Sequence, residues 1–277
     1  MNINAIKKKL SSFEKKDTKQ SYEDRPKIPK FKPTIGKQTI RVVPFKHNKD
    51  YPFTEMKMYY NIGKFKLICS PLNWGDKDPI AEFAKKLRET NDSDKWALAK
   101  KLDFKVRIFL PVVVRGEEEQ GVKYWEFGKQ VYQDFLNLAA DEEVGDFTDI
   151  LEGRDIKITT VGPDVTGTSY NKTTISPSMK QTPLSKDSDL VERLLDEQPH
   201  PLDFYTNLPF DTIKDALQNW FEEDEEEDDD FVDAEPNLED KNPKSTYSLS
   251  TQGEAKKSNV EKFEDMFEDE DEDDLPF

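Results

Sequence analysis

The chain is 277 residues long, enough for one or two domains, but only 34% of it is apolar while 36% is charged. Its net charge of −17 is unevenly placed: residues 222–277 hold 24 acidic and 5 basic side chains, residues 1–221 sum to +2, and residues 1–37 sum to +7. An acidic average therefore leaves a nucleic-acid partner open, whereas a lone cysteine (Cys69) and two histidines exclude an internal disulfide and a four-ligand Cys/His zinc set.

No apolar run approaches the roughly 18 residues of a membrane span, and the amino terminus lacks an apolar signal core. The reading is a soluble, cytoplasmic protein (host-cell cytoplasm if phage-encoded) with no membrane partner.

Residues 1–30 read as a disordered basic arm, with Lys7, Lys8, Lys9, Lys15, Lys16 and Lys19 set among polar residues. Ile3, Ile6, Leu10 and Phe13 recur at three-to-four spacing, which predicts a short amphipathic helix formed on contact with a partner. Strand patterns follow over 39–45, 55–61 and 64–69, with Asn61-Ile62-Gly63 as the turn between the last two. Pro79 opens a helix to Arg88 that gathers Ile80, Phe83, Ala84 and Leu87 on one face, and a second helix is predicted over 94–102.

The β-branched and aromatic run 104–115, a turn at 116–121 and a strand over 122–127 come next, then a helix over 129–140. Strands are predicted over 155–161 and 169–176, and helices over 187–196 and 211–221. Hairpins around a few short helices predict an α+β domain over 31–221, built on an antiparallel Greek-key-like barrel. From Glu222 onward the acidic density predicts a disordered tail to residue 277, which ends in Leu275-Pro276-Phe277 directly after four acids.

Catalysis finds no support: there is no phosphate-cradling glycine loop, no His-Glu-x-x-His, and no histidine in a triad setting. The chain reads as a non-enzyme. The positive signal is aromatic residues interleaved with cations, in Lys57/Tyr59/Tyr60/Lys64/Phe65/Lys66, in Lys95/Trp96/Lys100/Lys101/Phe104/Lys105/Arg107 and in Lys123/Tyr124/Trp125/Phe127/Lys129. Single-stranded nucleic acid is held by that combination, cations tracking phosphates while bases stack on rings. Strand alternation puts Trp125 and Phe127 on one face and Tyr124 on the other, so each cluster also offers rings to a core.

These residues carry a resemblance. Gly36-Lys37-Gln38-Thr39-Ile40-Arg41-Val42-Val43-Pro44, the strand pair ending in Cys69-Ser70, then Lys95 to Lys101, and Lys123 to Lys129 follow in the order seen in the T-even bacteriophage single-stranded-DNA-binding, helix-destabilising protein family, over about residues 1–176. The resemblance implies an OB-fold core whose cleft binds single-stranded DNA, in replication, recombination and repair. By local match it makes Arg41, Lys100 and Lys101 phosphate contacts and Trp96, Trp125 and Tyr170 stacking residues. Lys64, Phe104 and Arg107 of the clusters join them as candidates. Lys7, Lys8, Lys9, Ser11 and Ser12 are similar to the family's basic-plus-hydroxyl motif for head-to-tail cooperativity, which implies self-association along DNA.

The family binds structural zinc through one histidine and three cysteines, but here only Cys69 remains. Asp78 and Ala81 stand near the expected Cys-x-x-Cys pair and Tyr59-Tyr60-Asn61 where the histidine would be. The expectation is therefore no metal and no other cofactor, with Leu72, Trp74, Ile80 and Phe83 packing in its place. At the other end, Asp273, Asp274, Leu275, Pro276 and Phe277 resemble the tip of bacterial single-strand-binding proteins that docks replication and recombination proteins. A rival reading makes the chain an acidic interaction scaffold or DNA mimic whose tail is the active part.

Overall fold

The computed structural model describes residues 28–90 and 92–229 as a mixed α+β structure with eight strands and six helices. The expected cooperativity motif at Lys7–Ser12 and the expected partner-binding tip at Asp273–Phe277 lie outside the described residues. The chain divides into two units, the first reaching Met56 and resuming over Val106–Thr206, the second made of Lys57–Lys105 and the chain from Asn207 onward.

In the first unit the strands β1 (Lys30–Phe31), β2 (Gly36–Val42), β5 (Lys105–Val114), β6 (Lys123–Phe127), β7 (Arg154–Val161) and β8 (Lys172–Gln181) pair in the order β1-β6-β5-β2-β7-β8. All neighbours are antiparallel except β1 and β6, whose parallel register sets Phe31 opposite Trp125. Alternation along β7 buries Ile156 and Ile158 and leaves Lys157 exposed. Those isoleucines join Ile40, Val42, Leu110, Trp125 and Phe127 in one core that Phe135 of α3 (Lys129–Ala139) closes. Each such side chain contributes roughly 1.5–3 kcal/mol by leaving water. β5 is buried on both faces, because Val113 packs on its other side with Val43, Leu184 and the Leu190 and Leu194 of α5 (Ser188–Asp196). That explains why its sequence is a continuous apolar run.

The second unit holds most of β3 (Thr54–Ile62), β4 (Phe65–Cys69), α1 (Pro79–Glu89), α2 (Ser93–Lys101) and α6 (Phe210–Asp229). β3 and β4 form the expected hairpin, Tyr59 opposite Ile68 and Ile62 opposite Phe65. Its turn falls at Gly63-Lys64, with the strand residue Asn61 at φ +57 and Gly63 at φ +48. A Cβ on Gly63 would sit 2.6 Å from the Ala216 carbonyl oxygen, so both conformation and space require glycine there. The core joins Tyr59, Ile68, Ile80, Phe83, Leu87, Ile213 and Leu217. Ile80 and Phe83 are thus buried as expected, while Leu72 and Trp74 are only half-buried.

Several boundaries differ from the sequence reading. Lys30, expected at the end of the arm, is a strand residue paired with Tyr124. β2 stops at Val42, ahead of Pro44, which lacks an N–H for the ladder. A short α4 (Pro163–Thr166) and a left-handed Gly167 delay β8 to Lys172. Helix α6 continues through residues 222–229, part of the segment expected to be disordered. Ile213, Ala216 and Leu217 anchor that helix on the core, and a nucleated helix propagates readily through glutamates.

Candidate nucleic-acid interface

In the second unit the structure brings cations over exposed or half-exposed rings. Phe104, 36% exposed, follows α2 and carries Lys57 Nζ at 5.2 Å from its ring centre. Lys105 Nζ lies 5.7 Å from Tyr60, Lys64 Nζ 5.1 Å from Phe65, and Lys100 Nζ 5.7 Å from Trp96, which is 52% exposed. Lys100 and Lys101 are both exposed in the last turn of α2. Of the expected residues, Lys64, Trp96, Lys100, Lys101 and Phe104 therefore share one unit. Lys57, Tyr60 and Lys105 were visible in the sequence only as cluster members. Their pairing with rings follows from the β3–β4 hairpin and the start of β5.

Phe104 rests edge-to-face on Tyr59, with ring centres 6.3 Å apart. Tyr59 is buried, and its hydroxyl donates to Asp78 Oδ2 at 3.1 Å, an oxygen that also accepts from the Ser70 hydroxyl. Asp78 Oδ1 caps α1, accepting from the Ile80 and Ala81 backbone N–H groups at 2.9 and 3.3 Å. Both oxygens of this buried carboxylate are thereby satisfied. Burial, then the Asp78 charge, holds the Tyr59 phenol far above its ordinary range, so it stays a donor.

Zinc does not fit this corner. Asp78 is committed to four donors, Ala81 offers no ligand atom, and Tyr59 donates rather than accepts. Burial pushes the Cys69 thiol up to about 11, against the partial opposing effect of a hydrogen bond from Asn73, so it is protonated at neutral pH, where a metal ligand must be a thiolate. Among the described residues no three His, Cys, Asp or Glu side chains converge as a metal set.

The expected residues of the first unit fare differently. Arg41 is 0% exposed; its Nη2 donates to the Asp149 carbonyl at 2.5 Å and its Nη1 lies 3.8 Å from Asp155. Burial lowers its pKa to about 10, with Asp155 opposing the shift, so it remains cationic at neutral pH. A guanidinium with no exposed surface cannot touch a phosphate, and Arg41 leaves the candidate set. Trp125 leaves it too: it is 2% exposed and packs edge-on to Phe31, Phe127 and Phe135 at 5.0–5.8 Å.

Trp125 and Phe127 do share a face and Tyr124 does take the other, as alternation required. That second face is also covered, since the Tyr124 hydroxyl donates to the Pro199 carbonyl at 2.5 Å. Arg107 is half-exposed beside Glu126 at 3.8 Å, a carboxylate that Lys30 also contacts at 2.7 Å. Tyr170, 65% exposed, lies in the loop between β7 and β8 and stays available for stacking.

A family model described as gp32 DNA binding protein like matches residues 34–219, more than half of the chain. No curated protein matches it. No helix among the described residues is long and apolar enough to cross a membrane.

Proposed function

The chain belongs to the gp32-like DNA-binding protein family, and we propose that it coats single-stranded DNA without sequence preference during phage replication, recombination and repair. The observation that carries this reading is Phe104, an exposed ring seated on buried Tyr59 and flanked by Lys57. Bases stack there and on Trp96, while Lys57, Lys64, Lys100, Lys101 and Lys105 neutralise phosphates. In the first unit Tyr170 adds a third stacking ring and Arg107 a partly offset cation. The antiparallel pairing of β6, β5, β2, β7 and β8 around one buried core is what favours reading that unit as an OB-type barrel.

The arm reaches a neighbouring protomer and gives head-to-tail cooperativity, and the acidic tail recruits replication and recombination proteins through Leu275-Pro276-Phe277. The test is quenching of tryptophan fluorescence in the full chain by oligo-dT and by duplex over a salt series. Preference for the single strand, with a log–log slope of about −0.7 per phosphate neutralised, is expected. Duplex preference or salt-independent binding would overturn the reading, and no binding to either DNA would favour the acidic scaffold.

A further inference from the structure

The outer face of β2, β7 and β8 is a lysine-and-hydroxyl surface that none of the aromatic clusters includes. Cross-strand register aligns Lys37 with Thr159 and Thr174 in one row, and Thr39 with Lys157 and Ser176 in the next. A third lysine, Lys172, pairs with Val161 at the end nearest Tyr170. Lys37, Lys157, Lys172, Thr174 and Ser176 are exposed. Ile40, Ile156 and Ile158 alternate with them and are buried, which fixes this as the solvent side. Further along, the outer side of β2 and β5 is covered at Val43 and Val113 by Leu184 and α5. The lysine rows are left open.

The two rows and the Val161–Lys172 pair contain no carboxylate. Among the described residues Lys37, Lys157 and Lys172 have no ion-pair partner. Lys37 and Lys157 are diagonal neighbours on adjacent strands, about 7–8 Å apart at Cα. Three uncompensated ammonium groups with hydroxyl donors between them match the oxygens of a phosphodiester backbone. A protein partner would need apolar or aromatic anchors at the centre of its footprint, whereas the apolar groups here, half-buried Val161 and exposed Ile35 beside Gly162, stand at one end of the rows.

We propose that this face of the first unit is a phosphate track, along which the backbone of single-stranded DNA runs and at whose end Tyr170 receives a base. The proposal rests on the single-strand-binding reading above and adds to it a path that uses charge and hydroxyls rather than rings.

Full-length K37A/K157A/K172A tests it against K49A/K85A/K186A, which removes the same charge from exposed lysines elsewhere. Both are titrated onto labelled oligo-dT by fluorescence anisotropy over a salt series, after circular dichroism confirms the fold. The face variant should lose about two from the magnitude of the log–log slope and about tenfold in low-salt affinity, the control neither. If the face variant matches the control while wild type binds, the track is wrong and the single-strand reading survives. Should wild type itself fail to bind oligo-dT, both fall. A face variant that binds DNA normally but loses affinity for a peptide of residues 230–277 would make this a surface for acidic protein, and the phosphate assignment would be overturned.

Discussion

The hydroxyl of Tyr59 donates to Asp78 Oδ2 at 3.1 Å, which connects an exposed ring to the start of a helix. Phe104 lies on the Tyr59 ring, and the opposite oxygen of Asp78 holds the first turn of α1. One carboxylate therefore anchors the hairpin, the helix and, through Tyr59, the seat of Phe104. Asp78→Ala strands two buried hydroxyls and two helix N–H groups and should cost about 2–4 kcal/mol. Tyr59→Phe should cost about 1 kcal/mol. Urea midpoints measure both, and a chelator should leave the melting temperature of the wild type where it was.

Phe104 and Trp125 should separate cleanly on substitution. Phe104→Ala is expected to weaken oligo-dT binding by about 1–3 kcal/mol with the melting curve little changed, because the ring is partly exposed. Trp125→Ala opens a cavity among Phe31, Phe127 and Phe135 and should cost about 3–5 kcal/mol of stability. Parallel binding and unfolding titrations would show the reversed ranking if the burial assignment were wrong.

Arg41 is expected to act as a packing residue of the first unit and not as a DNA contact. Its guanidinium fills the space beside Gly153, where an added Cβ would contact both Arg41 Nη2 and the Asp149 carbonyl oxygen. Gly153→Ala should therefore destabilise the first unit by about 1–3 kcal/mol. Arg41→Met, which replaces a buried cation by an apolar chain, should fold and bind oligo-dT like wild type. A folded Arg41→Met with weakened DNA binding would restore Arg41 to the interface.

Acid should weaken the first unit through His200. Its Nδ1 accepts the Leu202 backbone N–H at 3.2 Å, a role that protonation of that nitrogen abolishes. Burial and then the adjacent His47 lower its pKa, with Asp203 opposing them. In the unfolded chain His200 takes up a proton first, so its contribution is fully present above the ordinary histidine range and is lost as pH falls through it. His200→Asn keeps an N-cap acceptor and should flatten the stability profile between about pH 7 and 5.

The two ends should act on different readouts. Removing residues 1–27 should reduce cooperative coating of long strands far more than binding to a short oligonucleotide. Removing residues 230–277 takes away a net charge of −11 and should tighten DNA binding at low salt, with the advantage shrinking as salt rises. Deleting Phe277 alone should leave DNA affinity unchanged while abolishing capture of replication partners in a pull-down.

Local chemistry was enough to read much of this chain. The β3–β4 hairpin, the helix start at Pro79 and the apolar stripe Ile80/Phe83/Ala84/Leu87 are short-range patterns; the helix and its stripe stand where the sequence placed them, and the turn falls at Gly63-Lys64, just past the expected Asn61-Ile62-Gly63. The candidate cations and rings of residues 96–105 were legible too, since a helix ending in two lysines before an exposed phenylalanine declares itself by spacing.

What covers each face was decided only by tertiary structure. Phe104 and Trp125 sit in similar strings of aromatic and basic residues, yet one carries a lysine over its face and the other is enclosed by Phe31 from β1, Phe127 and Phe135. Arg41 continues the alternation of Lys37 and Thr39 along β2, but Asp149 and Gly153 close over it while Lys37 stays open. Strand periodicity assigns a side chain to a face. Whether that face meets water depends on segments a hundred residues away, brought there by packing that no local pattern records.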